Sequence, residues 1–218
     1  MNDCDTEEIV QFRSELLRWG REHLREFPWR NTDRSFYDVF VAEFFLTQTP
    51  AFTVAEVYPK FLSEFPSLSA IDDSRPEDLV STIEPLGFHR MRADALQGIA
   101  EEYDELPRDR DELVGLPRVG PYIADATTCF ALEEPRPILD RNVVRVYRRV
   151  FGDDFPRDEA GQRAFASRLL PDDGFEARQY NWTLLDFGAL LCQKRSPNCE
   201  ECFATEVCEF YADPWDHE

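Results

Sequence analysis

Four cysteines near the C-terminal end of the chain constrain its fold more than any other feature. Cys192, Cys199, Cys202 and Cys208 follow the spacing Cys-x6-Cys-x2-Cys-x5-Cys. The N-terminal residues MNDCDTEEIV are acidic and lack an apolar signal region, which favours a reducing cytoplasm and therefore metal thiolates over disulfides. Structural zinc sites usually combine two short Cys-x-x-Cys pairs, whereas only the middle pair is short here. The spacing therefore predicts a loop around a [4Fe–4S] cluster, with zinc as the alternative.

Helical periodicity runs through most of the chain, and strand patterns are essentially absent. The first amphipathic segment places Ile9, Phe12, Leu16 and Trp19 on one face and ends near FPW. Further helices are predicted over residues 36–49, 53–64, 91–103, 109–115, 121–132, 142–151, 159–170 and 179–193. Polar, proline-bearing joints such as PSLSAIDDSRPED separate them. We predict an all-α protein with no transmembrane helix, since no run of 18 apolar residues occurs.

Charge is distributed unevenly along the chain. The formal net charge is −20, and only two of the 24 basic residues are lysines. Such acidity argues against a nucleic-acid partner, and with so little lysine it also indicates adaptation to a salty, halophilic cytosol. One helical face between residues 136 and 151 is nevertheless basic, and it carries Arg141, Arg145, Arg148 and Arg149. This face indicates an anionic ligand bound at one place, and a merely solvated helix face is the alternative.

A single carboxylate interrupts the apolar run VFVAEFFL at Glu43. A buried glutamate is costly unless it is paired, neutral or functional, although a helix edge open to water is the simpler interpretation. Two further motifs lie downstream. In LPRVGPYIA, a tight turn precedes a helix beginning at Pro121, whose unpaired N–H groups suit a phosphate. In PILDRNV, Asp140 precedes the arginine-bearing helix and is at least a candidate N-cap.

Together these motifs resemble the helix-hairpin-helix (HhH-GPD) DNA glycosylases of the endonuclease III superfamily. The resemblance runs from Trp19 to Cys208, and its pieces stand in family order: FPWR, AEFFLTQT, PLGF, LPRVGPYIADA, PILDRNVVRV and the cysteine loop. It is nearest to the mismatch-specific thymine and adenine glycosylases. It implies a base-excision-repair enzyme that flips a base out of double-stranded DNA and hydrolyses its bond to the sugar.

The resemblance also implies an architecture and cofactors. We expect two helical lobes with a DNA-binding cleft between them. Residues 34–134 would form a six-helix lobe with the hairpin, and residues 1–33 and 135–218 the lobe with the iron–sulfur loop. The four cysteines would hold a [4Fe–4S] cluster, and a monovalent cation at the hairpin turn is an optional second cofactor. We expect a cytoplasmic monomer whose partner is duplex DNA with a mismatched or damaged base.

Three residues match catalytic positions of the family. Asp140 matches the aspartate that stabilises an oxocarbenium-like transition state. Glu43 matches a glutamate in the base pocket of the mismatch glycosylases, where burial would raise its pKa and let it donate a proton. Tyr122 stands where bifunctional members carry a nucleophilic lysine, which predicts monofunctional activity without a strong lyase step. A non-catalytic DNA-binding relative is disfavoured, because binding alone needs no buried acid.

The resemblance also assigns residues to the DNA interface. They are Gln48, Phe88, His89, Arg118, Val119, Gly120, Arg141 and Arg145. Arg118 stands where the hairpin normally has glycine, and a type II turn would require a positive φ at this residue, costing about 1–2 kcal/mol. We therefore expect a type I turn.

The excised base is less well defined by the sequence. Tyr122 occurs in both thymine and many adenine glycosylases. Two features favour thymine or uracil opposite guanine: the chain stops ten residues after Cys208, and Thr47-Gln48 replaces the Gln-Gln usual in adenine glycosylases. Adenine opposite guanine or 8-oxoguanine is the alternative.

Overall fold

The computed structural model describes residues 3–31 and 33–212, with side chains from residue 7 onward. Over these residues the chain is helical and contains no strand, which confirms the predicted all-α class. No helix in these ranges is long and apolar enough to cross a membrane. The α-helices are α1 Asp3–His23, α2 Phe36–Leu46, α3 Ala51–Glu64, α4 Leu68–Asp72, α5 Pro76–Ile83, α6 His89–Glu102, α7 Arg110–Gly115, α8 Pro121–Leu132, α9 Arg141–Phe151, α10 Glu159–Leu169, α11 Gly174–Leu190 and α12 Glu209–Ala212.

The chain divides into two compact units. The hairpin unit is Glu26–Leu132, and the cysteine unit combines Met1–Arg25 with Glu133–Glu218. The hairpin unit thus begins earlier than the boundary expected at residue 34, because Trp29 is buried in its core. Within its described residues it holds the seven helices α2 to α8, where six were expected.

The hairpin unit is built around α2. Ser35 and Asp38 form a capping box at its start, so the helix begins with its first N–H groups satisfied. Every residue from Val39 to Phe45 is buried, and α2 packs against α8 and α3. The rings of Phe45 and Phe61 pack edge to face, with their centroids 4.9 Å apart. A helix buried on all sides explains why the run VFVAEFFL is apolar throughout except at Glu43.

The core of the cysteine unit lies between α1, α9 and α11. Phe12, Tyr147 and Phe187 are fully or almost fully buried there, and Phe12 contacts both other rings. The chain segment after α1 is held by Arg25, whose guanidinium donates two hydrogen bonds to the fully buried Asp186. These contacts hold α9 and α11 side by side, with the cysteine loop following α11.

Most predicted helices are present. Two short helices of the hairpin unit were not predicted, and the bounds of two predicted helices differ clearly from those observed. The helix α4 and the first three residues of α5 lie inside the segment that we interpreted as a polar joint, and the rest of α5 lies where no element was predicted. Both are short, and α5 starts with Pro76 at a favoured first position. The predicted helix 36–49 ends at Leu46, because the backbone turns at Gln48 with a φ of 58°. The predicted helix 179–193 begins earlier, at Gly174, where Asp173 caps it.

Candidate active site

Glu43 lies in the middle of α2 and is only 3% exposed. Burial raises the pKa of its carboxyl to about 7, although the charge of Arg30 and a hydrogen bond from Tyr122 lower it. Its Oε2 atom is buried and has no hydrogen-bond partner among the described residues. Glu43 therefore does not lie on a helix edge open to water. Its carboxyl is partly neutral near pH 7, and one of its oxygens is available to a ligand.

Tyr122 is the second residue of α8, directly after the hairpin turn. The turn closes with a hydrogen bond of 3.1 Å from Val119 N to Leu116 O, which places Pro117 and Arg118 at its centre. Arg118 has a φ of 61°, so the expected type I turn is wrong and the turn is of type II. A non-glycine residue in this conformation is strained by about 1 kcal/mol or more. The exposed Arg118 side chain thus stands on a strained hairpin beside the helix that carries Tyr122.

Asp140 caps α9 in the cysteine unit. Its Oδ1 accepts a hydrogen bond of 2.7 Å from Val143 N, and its Oδ2 accepts one of 3.0 Å from Asn142 Nδ2. Arg145 donates to Asn142 Oδ1 at 2.8 Å and to the Cys192 carbonyl. The predicted N-cap is confirmed. The same contacts fix the orientation of a half-exposed carboxylate and link it to the first cysteine of the loop.

Two more of the predicted interface residues, Gln48 and Phe88, lie in separate turns of the hairpin unit. Gln48 is exposed, and its φ is 58°. Phe88 is 56% exposed with a φ of 49°, and the half-buried His89 begins α6 behind it. Arg92, which we did not predict, lies buried between these two turns. Its only sequence signal is its position four and seven residues before Leu96 and Ile99, on the apolar face of α6.

The four cysteines surround one cavity at the end of α11. Cys192, Cys199, Cys202 and Cys208 all line it, together with Arg149. Ala204 N donates to Cys202 Sγ at 3.4 Å, the kind of N–H···S contact found around cluster thiolates. No three His, Cys, Asp or Glu side chains in the described part of the chain are arranged to hold a single metal ion. Four thiols lining one cavity match the donor set of a [4Fe–4S] cluster, which takes one thiolate per iron, and a four-thiolate zinc site would use the same donors.

Burial has a chemical consequence for these thiols. It raises the pKa of Cys199, Cys202 and Cys208, that of Cys202 to about 11. Thiolates are the ligands that iron and zinc bind, so binding in this loop requires the metal to displace protons.

Arginines of α9 hold the cysteine loop. Arg149 donates to the carbonyls of Gln193 at 2.7 Å and Lys194 at 3.0 Å, and lies over the Phe210 ring. Arg145 and Arg149 thus direct several of their N–H groups to the loop. A basic groove lies along this face, and its cationic lining residues are Arg141, Arg145, Arg148, Arg149, Arg157, Lys194 and Arg195. Among the acidic residues that the structure describes, only Asp153 lines it, so the groove is positive on a chain that is negative overall.

Comparisons with known proteins identify the family of this chain. Residues 41–170 match the model of the HhH-GPD superfamily base excision DNA repair proteins. A thymine/uracil-DNA glycosylase of Pyrobaculum aerophilum is 35% identical over 94% of this chain and 93% of its own. An adenine DNA glycosylase of Mycolicibacterium smegmatis is also 35% identical, over 86% of this chain and 66% of its own. The solved structure of a thermostable thymine-DNA glycosylase superposes with a TM-score of 0.90 at 29% identity, covering 96% of this chain and 99% of the other. The chain therefore belongs to the HhH-GPD superfamily of base excision DNA repair proteins.

Proposed function

We propose that this protein is a monofunctional DNA N-glycosylase that removes thymine or uracil opposite guanine from duplex DNA. The observation that carries the proposal is Glu43, a fully buried carboxyl with a pKa of about 7, one unpartnered oxygen and a hydrogen bond from Tyr122. A carboxyl that is protonated near neutral pH can act as a general acid toward a bound base. The similarity to a thymine/uracil-DNA glycosylase along almost the whole of both chains supports the choice of base.

The chemistry assigns different work to the two acids. The bond from C1′ of the sugar to the base nitrogen breaks, and its electron pair leaves with the base. Glu43, in its neutral form, donates a proton or hydrogen bond to that base, so that the leaving group carries less negative charge. Asp140 stabilises the positive charge that develops at C1′, and it accepts the proton of the water that attacks there. The products are a free base and an abasic site.

Tyr122 supports a hydrolytic rather than a lyase reaction. A lyase step needs an amine that forms a Schiff base with C1′. A phenol cannot form one, and in this protein Tyr122 hydrogen-bonds to Glu43. Borohydride added during turnover should therefore trap no stoichiometric protein–DNA adduct. Stoichiometric trapping would show that another amine attacks the sugar and would overturn the monofunctional assignment.

The basic groove of the cysteine unit supports DNA as the partner. Arg141, Arg148, Lys194 and Arg195 line it and are exposed. Phosphates bind such a row of cations without reading sequence, and the hairpin turn and N-terminus of α8 supply further N–H donors. The cleft between lobes that the sequence led us to expect remains a prediction, as do the monomeric state and the cytoplasmic location.

We also propose that the cysteine loop holds a [4Fe–4S] cluster that is structural. All four thiols line one cavity, and this lining supports the proposal. When bound, the cluster would cross-link the loop to the end of α11, while no step of base hydrolysis passes through it. Iron and acid-labile sulfide should each be found at about four per chain in protein purified without air. One zinc ion per chain instead would establish the alternative.

Adenine is the second candidate base, since a curated adenine glycosylase is equally identical over a shorter stretch of its own length. The deciding experiment is single-turnover base release at molar KCl from duplexes containing G·T, G·U, A·G or A·8-oxoguanine. Alkali added afterwards reveals abasic sites as strand breaks. Release from G·T or G·U alone is the expected result, release of adenine establishes the alternative, and no release from any duplex contradicts a glycosylase function. Asp140→Asn serves as the matched control and should bind DNA without excision.

A further inference from the structure

Three exposed residues of the hairpin unit share an unusual backbone conformation. Gln48, Phe88 and Arg118 have φ angles of 58°, 49° and 61°, and none is glycine. Side chains rarely adopt this left-handed conformation, because it brings Cβ close to a neighbouring carbonyl. Such strain persists only where surrounding contacts hold the backbone in place. Something in the unit must therefore hold these turns.

A single buried guanidinium contacts the turns before Phe88 and around Gln48. Arg92 is 5% exposed, and all five of its hydrogen bonds go to uncharged oxygens. It donates through Nε to Gly87 O at 3.1 Å, and through Nη1 to Phe44 O at 2.7 Å and Thr47 Oγ1 at 3.3 Å. Through Nη2 it donates to Thr47 O at 2.5 Å and Thr49 Oγ1 at 2.9 Å. These acceptors lie immediately before Phe88 and on both sides of Gln48.

The two turns are also joined directly. Thr49 Oγ1 donates to Leu86 O at 2.9 Å and is fixed by Arg92 at the same time. Arg118, the third strained residue, lies near enough to act on the same cation. Burial is the main reason that the pKa of Arg92 is lowered, and the positive charge of Arg118 lowers it further. A buried arginine without a carboxylate partner is costly. Only a planar group with five donors can satisfy acceptors from both turns at once, and lysine offers three donors from a single point.

We propose that Arg92 is a positioning residue that presents Gln48 and Phe88 to the duplex in one fixed arrangement. This inference rests on the proposed function, since it assumes that these exposed residues enter the DNA when a base is displaced. Arg92 itself is buried and acts through the turns without touching the DNA. Its removal should therefore impair the extrusion of a paired base more than the hydrolysis of a base that is already unpaired.

The test compares Arg92→Lys with wild type on two substrates that carry the same uracil. One is a G·U duplex, and the other places uracil opposite an abasic-site analogue, where no pair has to be opened. We expect the single-turnover rate on G·U to fall by roughly tenfold or more, and the rate on unpaired uracil by about twofold or less. Arg75→Lys, an exposed arginine of the same unit, is the matched control and should change neither rate. Equal slowing of both substrates, or of neither, would overturn the proposal.

A second readout does not depend on excision. 2-Aminopurine beside the mismatch becomes brighter when the enzyme unstacks the duplex, and Arg92→Lys should lose most of this rise while still binding. An unchanged rise would contradict the proposal even if wild type excised no uracil, and absence of excision by wild type would count against the proposed function alone. If Arg92→Lys does not fold, Thr49→Val removes one acceptor and the direct link to Leu86, and the same selective loss on G·U is expected. A Thr49→Val protein with unaltered substrate preference would overturn the inference.

Discussion

The two candidate catalytic acids, one in each unit, lie in opposite environments. Glu43 is surrounded by the apolar side chains of α2 and its neighbours, so its charged form loses hydration without full compensation. Asp140 is half-exposed at a helix N-terminus, and its carboxyl oxygens accept two hydrogen bonds. This contrast supports the proposed roles, a neutral acid for the base and a negative charge for the sugar.

Stability should fall as pH rises if Glu43 is buried in its neutral form. Its pKa is raised from 4.5 in the unfolded chain to about 7 in the folded one, so between these values the folded state holds a proton that the unfolded state has lost. The free energy of unfolding should therefore decrease across this window, by up to about 3 kcal/mol relative to Glu43→Gln. Urea unfolding of both proteins at pH 4.5, 6 and 8 measures this difference. A constant difference at all three values would show that burial does not raise the pKa of Glu43.

Tyr122→Phe should shift the pH dependence of excision upward. The hydroxyl of Tyr122 lowers the pKa of Glu43 by hydrogen-bonding to its carboxylate, so removing it raises that pKa. A general acid works while protonated, and the wild-type rate should fall above pH 7. In Tyr122→Phe the fall should begin at higher pH, as measured by single-turnover excision between pH 5 and 9. Glu43→Gln should lack this fall and be slower than wild type by about 10² to 10⁴.

The sequence predicted only part of this site, for a physical reason. Glu43 and Tyr122 occur in motifs whose apolar run and turn residues can be recognised locally, and the structure brings the two together. Arg92 could not be assigned, because three of its five acceptors are backbone oxygens and the other two are threonine hydroxyls, and neither kind marks an arginine site in the sequence. The strain at Arg118 was missed for a similar reason. The strain of a positive φ at a non-glycine residue favours a type I turn, and contacts elsewhere in the fold outweigh that strain at Arg118.

At the scale of elements, burial decided which helices could be predicted. Long amphipathic segments such as α3 and α9 show a clear apolar period and were predicted within a few residues of their bounds. The five and eight residues of α4 and α5 are too short for periodicity to emerge from a polar background. Their formation depends on packing, since both contact α6. Short helices stabilised by tertiary contacts are not visible in local sequence.

Two helical glycines should respond in opposite directions to alanine. A Cβ added at Gly20 in α1 would lie 2.2 Å from Thr183 Oγ1 on α11, whereas one at Gly98 in α6 meets nothing within 4 Å. We expect Gly20→Ala to lower the free energy of unfolding by about 1–3 kcal/mol through overpacking. Gly98→Ala should raise it by about 0.5–1 kcal/mol, because alanine restricts the unfolded chain and favours helix. Urea unfolding of both variants measures these two changes in the free energy of unfolding. An equal change in both would mean that α1 and α11 are farther apart than the contact between Gly20 and Thr183 requires.

For the molecule as a whole, net charge is a poor guide to partners, whereas the position of charge is informative. The −20 total alone argued against nucleic acid, yet in the described part of the cysteine unit seven cationic residues and one acid line one groove. Repulsion from the remaining surface limits where a polyanion can lie. Acidic surroundings would therefore restrict a bound polyanion to the groove without abolishing its binding.

Removing the charges of Lys194 and Arg195, two exposed residues of the basic groove, should weaken DNA binding and make it less dependent on salt concentration. In Lys194→Gln/Arg195→Gln, two candidate phosphate contacts are lost, and the slope of log affinity against log salt should become shallower by about 2. The loss should be the same for matched and mismatched duplexes, as fluorescence anisotropy at several KCl concentrations can show. Lys60→Gln/Arg75→Gln makes the same charge change elsewhere and should leave the slope unaltered. A loss restricted to mismatched duplexes would mean that these residues read the lesion and not the phosphates.

The same imbalance of charge should make the fold itself depend on salt. With 44 acidic and 24 basic residues, many carboxylates have no opposite charge to pair with, and their mutual repulsion destabilises the compact state. Salt shortens the range of that repulsion from about 10 Å at 0.1 M to about 3 Å at 1 M. The urea midpoint should therefore rise between 0.1 and 1 M KCl by roughly 0.5 M or more, equivalent to about 1 kcal/mol.

Choline chloride at equal ionic strength should reproduce this rise, because it screens equally well. A continued rise above 1 M in KCl alone would support halophilic adaptation, in which the acidic surface binds hydrated cations. A midpoint that does not change with either salt would show that the carboxylates are spaced too widely to repel, and would remove the physical reason for placing this protein in a salty cell.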